Sequence, residues 1–225
     1  MNGRELWDRF ASLLYPKRCV LCDQVVEYEK IWCGECGLPV LQQPLCGVCG
    51  KPAGDCVCRK EPFGFVRACA PLAYTGFVRD AIIRLKTTPD ARTVGFFAGQ
   101  MAKALAAQQY DCIAPVPMAP GGMARRGHNP AQLLAQGLGR HLDLPLEEGL
   151  LSRREELPAQ HGLGREGRFS NAKNAYYSTK TPPGNKTILL VDDVLTTGAT
   201  AHACSELLAA LGARVYVVTA ATTLR

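Results

Sequence analysis

The sequence has no uninterrupted apolar run long enough to cross a bilayer. Its one N-terminal candidate, Leu6 to Leu14, is broken by Asp8 and Arg9, which also rules out a secretory core. The expectation is a cytoplasmic protein without membrane insertion, in which the sequon Asn185-Lys186-Thr187 has no meaning. Aromatic residues are scarce at 7%, and no stretch interleaves them clearly with Lys or Arg, as a base-stacking groove for single strands requires. The chain also lacks a G-x-x-x-x-G-K-[ST] phosphate loop. Gly162 to Gly167 fits G-x-G-x-x-G in letters, but it follows no strand and sits in a polar stretch, so it reads as a flexible loop.

What is present fits a folded protein of 225 residues, with 47% hydrophobic and 20% charged residues. The net charge of +6 favours anionic partners. Cysteine is distributed unevenly: eight of the eleven lie between Cys19 and Cys58. That region is poor in apolar runs and rich in Gly and Pro, so it cannot fold by burying carbon alone. Its cysteines come in close pairs: Cys19 with Cys22, Cys33 with Cys36, Cys46 with Cys49, and Cys56 with Cys58. Two such pairs complete a tetrahedral thiolate site, closed to substrate and therefore structural. The spacing assigns Cys19, Cys22, Cys33 and Cys36 to one Zn²⁺ and Cys46, Cys49, Cys56 and Cys58 to a second. An interleaved pairing of first with third and second with fourth stays open, as does a total of one zinc or two. A reducing compartment disfavours disulfides.

The texture changes beyond residue 60, which divides the chain into an N-terminal helix and zinc-ribbon module (1–60) and a larger α/β domain (61–225). Val66 to Tyr74 reads as a strand or hairpin arm. Phe77, Ala81, Ile82 and Leu85 share one helix face, and Val94, Phe97, Met101 and Leu105 share another. Cys112 to Val116 is a short strand followed by a Gly121-Gly122 loop, Ala131 to Leu142 a helix, and Leu144 to Leu151 a further strand. Ser152 to Tyr177 is polar and reads as mobile. Thr187 to Val191, Thr200 to Leu211 and Arg214 to Ala221 form a strand, helix and strand, which implies a parallel sheet with helices on both faces.

The chemistry concentrates where the Thr187–Val191 strand ends: Asp192-Asp193-Val194-Leu195-Thr196-Thr197-Gly198-Ala199-Thr200. Ligands of open α/β sheets bind beyond the carboxyl ends of strands, and a helix N-terminus offers unpaired amides and partial positive charge. Thr196, Thr197 and Thr200 add hydroxyls, and Gly198 allows close backbone approach, so the turn suits a phosphate. Two carboxylates repel that phosphate and need sugar hydroxyls or a divalent cation instead. A phosphorylated ribose satisfies both demands.

This segment resembles the signature of type I phosphoribosyltransferases, four apolar residues followed by D-D-x-x-T-T-G-x-T. The wider chain resembles the ComF/GntX family, which joins a zinc ribbon to a phosphoribosyltransferase-like sheet flanked by helices. The supporting pieces are Leu13-Leu14-Tyr15-Pro16 before Cys19, Tyr74-Thr75-Gly76 with Arg79, Leu85-Lys86, Pro115-Val116-Pro117, and Arg126-Gly127-His128-Asn129. The resemblance implies 5-phosphoribosyl 1-pyrophosphate as ligand, with Mg²⁺ on its pyrophosphate. Asp192 and Asp193 are then the catalytic acids on the ribose hydroxyls, with Thr196, Thr197, Gly198, Ala199 and Thr200 around the 5-phosphate and Arg125 and Arg126 toward the pyrophosphate. Gln160, Arg168 and Asn171 match family positions in the segment that closes over substrate. Two departures touch the pyrophosphate side: His128-Asn129-Pro130 stands where the family has F-N-Q, and Thr87-Thr88-Pro89 follows Lys86. The implied activity is pentosyl transfer, associated with DNA uptake in natural competence. The alternative is a non-enzymatic sensor of the same ligand, or a protein that binds single-stranded DNA or a competence helicase.

Overall fold

Pairing of the most apolar run in the chain with its neighbours organises the molecule. The computed structural model describes residues 16–27, 29–58, 63–105, 107–155, 165–180 and 185–224, with the side chains of 165–168 excepted. Leu6 to Leu14, Gln160 and the Arg168 side chain lie outside the described residues. In chain order the elements are β1 (Arg67–Cys69), β2 (Leu72–Ala73), α1 (Gly76–Thr87), α2 (Ala91–Ala104), β3 (Cys112–Pro115), α3 (Pro120–Arg126), α4 (Pro130–Leu142), β4 (Leu151–Arg153), α5 (Arg165–Ala175), β5 (Tyr176–Ser178), β6 (Thr187–Leu195), α6 (Ala199–Ala209) and β7 (Arg214–Thr222).

The main sheet runs β1-β7-β6-β3 with every pairing parallel, and β2 continues along the outer edge of β7. Residues 66–74 are thus neither a single unbroken strand nor a hairpin arm. They form one edge strand interrupted at Pro71, which has no N–H to give to a ladder. Ile188, Leu189, Leu190 and Val191 are all fully buried, because alternate side chains enter two different cores. Leu189 and Val191 meet Ile82 and Leu85 of α1, Phe97 and Met101 of α2, and Leu134 and Leu138 of α4. Ile188 and Leu190 meet Ala203, Cys204 and Leu208 of α6. Helices therefore cover both faces, as the βαβ pattern requires.

Several local expectations shift. On α1 the buried stripe is Val78, Ala81, Ile82 and Leu85, and Phe77 is 47% exposed because it lies about 100° round the helix from Val78. The Gly121-Gly122 pair is helical. Pro120 starts α3 at a position that needs no amide donor, and Gly127 ends it at φ 72°. Within 144–151 only Leu146 pairs with the main sheet, through a parallel bridge to Ile113, and the regular strand begins at Leu151. The described parts of 152–177 fall mostly in two strands, β4 and β5, and the helix α5 rather than an irregular loop, since Ala172 and Tyr176 are buried in the same core as α6. The β6 strand does not stop at Val191; it carries both aspartates and ends at Leu195.

The cysteine-rich segment covers the outer edge of the sheet. Ala68 donates its amide to Val48 at 2.7 Å, and Ala73 to Pro39 at 2.8 Å, so the β1/β2 edge is not left open. Val20 and Leu21 enter the α1/α2 core, where Arg84 donates to both their carbonyls at 3.0 and 2.7 Å. The pairing of cysteines is consecutive: Cys19, Cys22, Cys33 and Cys36 form one group and Cys46, Cys49, Cys56 and Cys58 the other, each with all sulfurs within 4.8 Å. The interleaved pairing is excluded. The close S···S contacts within them lie at 3.3 to 3.8 Å, near the edge of about 3.8 Å of a tetrahedron with Zn–S of about 2.3 Å and far from a disulfide bond.

We expect protein purified in reductant to carry close to two zinc ions per chain, and Cys33→Ser or Cys56→Ser to carry about one, each with a lower melting midpoint. Elemental analysis with thermal melting checks this. A zinc content well below one in the parent protein would show that the sulfur sets do not hold metal.

Candidate functional site

The turn after β6 follows from one residue. Gly198 adopts φ 81°, ψ 1°, a left-handed conformation that reverses the chain and starts α6. The first intrahelical bond runs from the His202 amide to the Gly198 carbonyl at 2.8 Å, so the amides just before His202 precede the helical ladder. Of these, the Ala199 amide has a local partner among the described residues, the Thr197 hydroxyl at 3.4 Å. A side chain at 198 is disfavoured twice over: by φ, and because a Cβ would lie 3.1 Å from the Phe63 ring. Phe63 stacks on Phe65 with centroids 4.5 Å apart and meets His202 edge-on, while Gly64 donates its amide to His202 Nδ1 at 3.0 Å. This fixes the tautomer: Nε2 carries the hydrogen and faces Glu206 at 3.4 Å.

The two acids lean in opposite directions, as consecutive strand residues do. Asp193 pairs with Lys86 at the end of α1, Oδ2 to Nζ 2.7 Å, with only 18% of the aspartate side chain exposed. Asp192 faces the α6 side, where Tyr176, Cys204 and Arg153 feel its charge. Burial, then the neighbouring Asp193 charge, push the Asp192 carboxyl up to about 7; the Asp193 amide, Lys86 and Arg153 only partly offset them. The Asp193 amide donates to Asp192 Oδ1 at 2.9 Å. Near neutral pH Asp192 is therefore present in both its protonated and its ionised form, able to donate a hydrogen bond as well as to accept one.

Of the residues singled out from sequence, Asp192, Asp193, Thr196, Thr197, Gly198, Ala199 and Thr200 come together on this one turn. Arg125 and Arg126 are exposed at the C-terminal end of α3. Among the described residues, no hydrogen bond or ion pair joins them to the turn. Their helix nevertheless leaves the same sheet edge: β3 pairs with β6 up to Pro115 beside Val191, and the Val116 amide donates to the Val191 carbonyl at 2.9 Å. His128 is a tie between elements, its Nδ1 at 2.8 Å from the Arg126 carbonyl and Nε2 at 3.1 Å from that of Leu85. Asn171 is exposed on α5.

Sequence reasoning missed the other wall of the site. The β4 and β5 strands pair antiparallel, placing Arg153 opposite Tyr176, with the guanidinium 5.5 Å from the ring centre. Burial pushes the Tyr176 hydroxyl up to about 12. The signal was an Arg-Arg and a Tyr-Tyr pair at 153–154 and 176–177, but only the strand pairing reveals that they meet. Lys86 was visible as part of a motif, without its partner Asp193.

Residues 10–70 match a family model described as the double zinc ribbon domain, so the two sulfur sets are sites for structural zinc. Competence protein F of Haemophilus influenzae is 39% identical over 104 residues, a match that spans 45% of each chain. The DNA utilization protein YhgH of Escherichia coli is 27% identical over 216 residues, covering 89% of this chain and 87% of its own. Among solved structures, adenine phosphoribosyltransferase from Thermoanaerobacter pseudethanolicus aligns over 62% of this chain and 72% of its own, with a TM-score of 0.39 and 21% identity. The paired sulfur sets, the double zinc ribbon match and the competence-protein relatives make this a ComF-like protein, an N-terminal zinc ribbon joined to a parallel sheet flanked by helices.

Proposed function

We propose that the turn at Thr196 to Thr200 binds the 5-phosphate of 5-phosphoribosyl 1-pyrophosphate while Asp192 and Asp193 hold the ribose hydroxyls. The observation that carries this reading is the left-handed Gly198, which starts α6 directly after β6 at the carboxyl end of the sheet, with the amides of the helix's first turn outside the helical ladder. The acids sit one residue pair upstream, too close for a second phosphate and well placed for the attached pentose. Lys86 has to release Asp193 as the sugar enters, and an ammonium freed there faces the anionic side of the ligand. Arg125 and Arg126 would serve the pyrophosphate from α3. Mg²⁺ would supply neutralisation of that pyrophosphate. In pentosyl transfer the chain's own part is to orient C1 for the incoming nucleophile and to stabilise positive charge on the ribose through the two acids. The names of the relatives support a place in DNA uptake and use.

Single-stranded DNA is the second reading, and one observation favours it. Arg154 lies 5.1 Å from the ring centre of Tyr177, which is 38% exposed, so the outer face of the β4–β5 pair presents a cation and an aromatic ring together. Binding there weakens steeply with salt, whereas pocket binding depends on Asp192 and Asp193.

Calorimetric titration with the pyrophosphate ester and Mg²⁺ should show Asp193→Asn weakening affinity at least about tenfold, the loss of roughly one charge-assisted hydrogen bond. Unchanged affinity counts against the site. Gly198→Ala forces a left-handed alanine costing about 1–2 kcal/mol and presses on Phe63. It should abolish binding of ribose 5-phosphate while the far-ultraviolet circular dichroism stays native.

The Asp192 carboxyl, raised from 3.8 to about 7, holds its proton in the folded chain and loses it in the unfolded one across that window. Stability therefore falls as pH rises through it. Between pH 5 and pH 8 in metal-free buffer, the melting midpoint of the parent protein should drop more than that of Asp192→Asn, by on the order of 5 °C. Parallel pH profiles for the two proteins would show that this carboxyl is not perturbed.

A further inference from the structure

Lys51 is 2% exposed, in the second cysteine knuckle, two positions after the ligand Cys49. Burying an ammonium is costly, and a side chain needed only to fill that space would be apolar. Its Nζ donates to the Thr223 carbonyl at 2.6 Å and the Thr223 hydroxyl at 3.2 Å. The Thr223 amide in turn donates to the carbonyl of Leu195 at 3.1 Å, and the fully buried Thr222 hydroxyl donates to that same carbonyl at 2.8 Å. Leu195 is the last residue of β6, and the phosphate turn starts at the next position.

The near end of this chain is equally fixed. The Lys51 carbonyl accepts from the Cys46 amide at 2.8 Å, and the Gly50 amide donates to the Cys46 carbonyl at 3.0 Å, so the lysine backbone belongs to the turn that presents Cys46 and Cys49. That turn is pressed on the sheet: Gly50 has φ +68°, and a Cβ there would lie 2.4 Å from the Ala68 carbonyl oxygen. A four-thiolate zinc centre is a dianion, which gives the neighbouring ammonium an electrostatic reason to be buried on this side.

We propose that Lys51 is a positioning residue for the anion turn, one that couples the order of the second zinc knuckle to Thr196–Thr200 through Thr223, Thr222 and the Leu195 carbonyl. Its purpose rests on the phosphate-binding role given above, while the coupling itself does not need it. The second zinc set thereby gains a function besides folding: metal held by Cys46, Cys49, Cys56 and Cys58 keeps a ligand turn rigid without touching the ligand.

The test compares full-length, zinc-loaded Lys51→Met with the parent by amide hydrogen exchange without ligand and by titration with ribose 5-phosphate. Exchange at 196–200 should quicken about tenfold while amides of α2 and β3 keep their rates, with zinc content still near two per chain, and affinity should fall by a similar factor. Unchanged exchange at 196–200 in folded, zinc-loaded Lys51→Met overturns the proposal. Should Lys51→Met fail to fold, Thr222→Val cuts the far end of the same path, and the same local quickening is expected; none overturns the coupling. If the parent binds no ribose 5-phosphate, the functional reading falls, and the exchange result still decides whether the coupling exists.

Discussion

A left-handed glycine at the junction of a buried strand and a helix is the constraint on which the site depends. Were residue 198 to carry a side chain, the chain would either leave the left-handed conformation or press that side chain on Phe63, and the start of α6 would shift. The surrounding structure holds the turn in place from several sides. The β6 strand fixes its start through register with β7, Leu195 opposite Thr222. Phe63 and Gly64 clamp its end through His202. A rigid anion site needs such support, because amides that reorganise on binding lose the advantage of being pre-aimed.

Electrostatics explain why the neighbouring acids tolerate their partial burial. Lys86 pairs with Asp193 directly, and burial with the neighbouring Asp193 charge raises the Asp192 carboxyl to about 7, so that near neutrality it carries only part of its charge. The acid side of the turn is therefore less negative than two free carboxylates would make it, beside a helix start that carries partial positive charge. Arg153 and Tyr176 extend this wall from an antiparallel pair outside the main sheet, so the site draws on residues from α1, β4, β5 and the β6–α6 turn.

How much of this could be read from sequence depends on whether the determinant is local. The β6–α6–β7 unit was legible because apolar periodicity and a dense hydroxyl-rich turn lie within one continuous segment. The cysteine sets were legible too, since the spacing assigned the pairs to the two groups that form, although it left an interleaved alternative that only the folded positions of the sulfurs exclude. The Gly121-Gly122 helix was misread because glycine's low propensity counted for more than Pro120 and Gly127, the residues that start and stop it. Lys86 with Asp193 and Arg153 with Tyr176 are contacts between distant segments; each residue looks like a solvated charge or an ordinary ring until the strands and helices are packed.

The zinc ribbon and the sheet are not independent modules set side by side, since the ribbon closes the β1/β2 edge and lends Val20 and Leu21 to the α1/α2 core. The central claim is still the anion turn. A crystal structure with ribose 5-phosphate tests it most directly: phosphorus within hydrogen-bonding distance of the amides at 198–200, with ribose hydroxyls on Asp192 and Asp193, is the expected result. Ligand bound elsewhere, with that turn unchanged and filled by water, would contradict it.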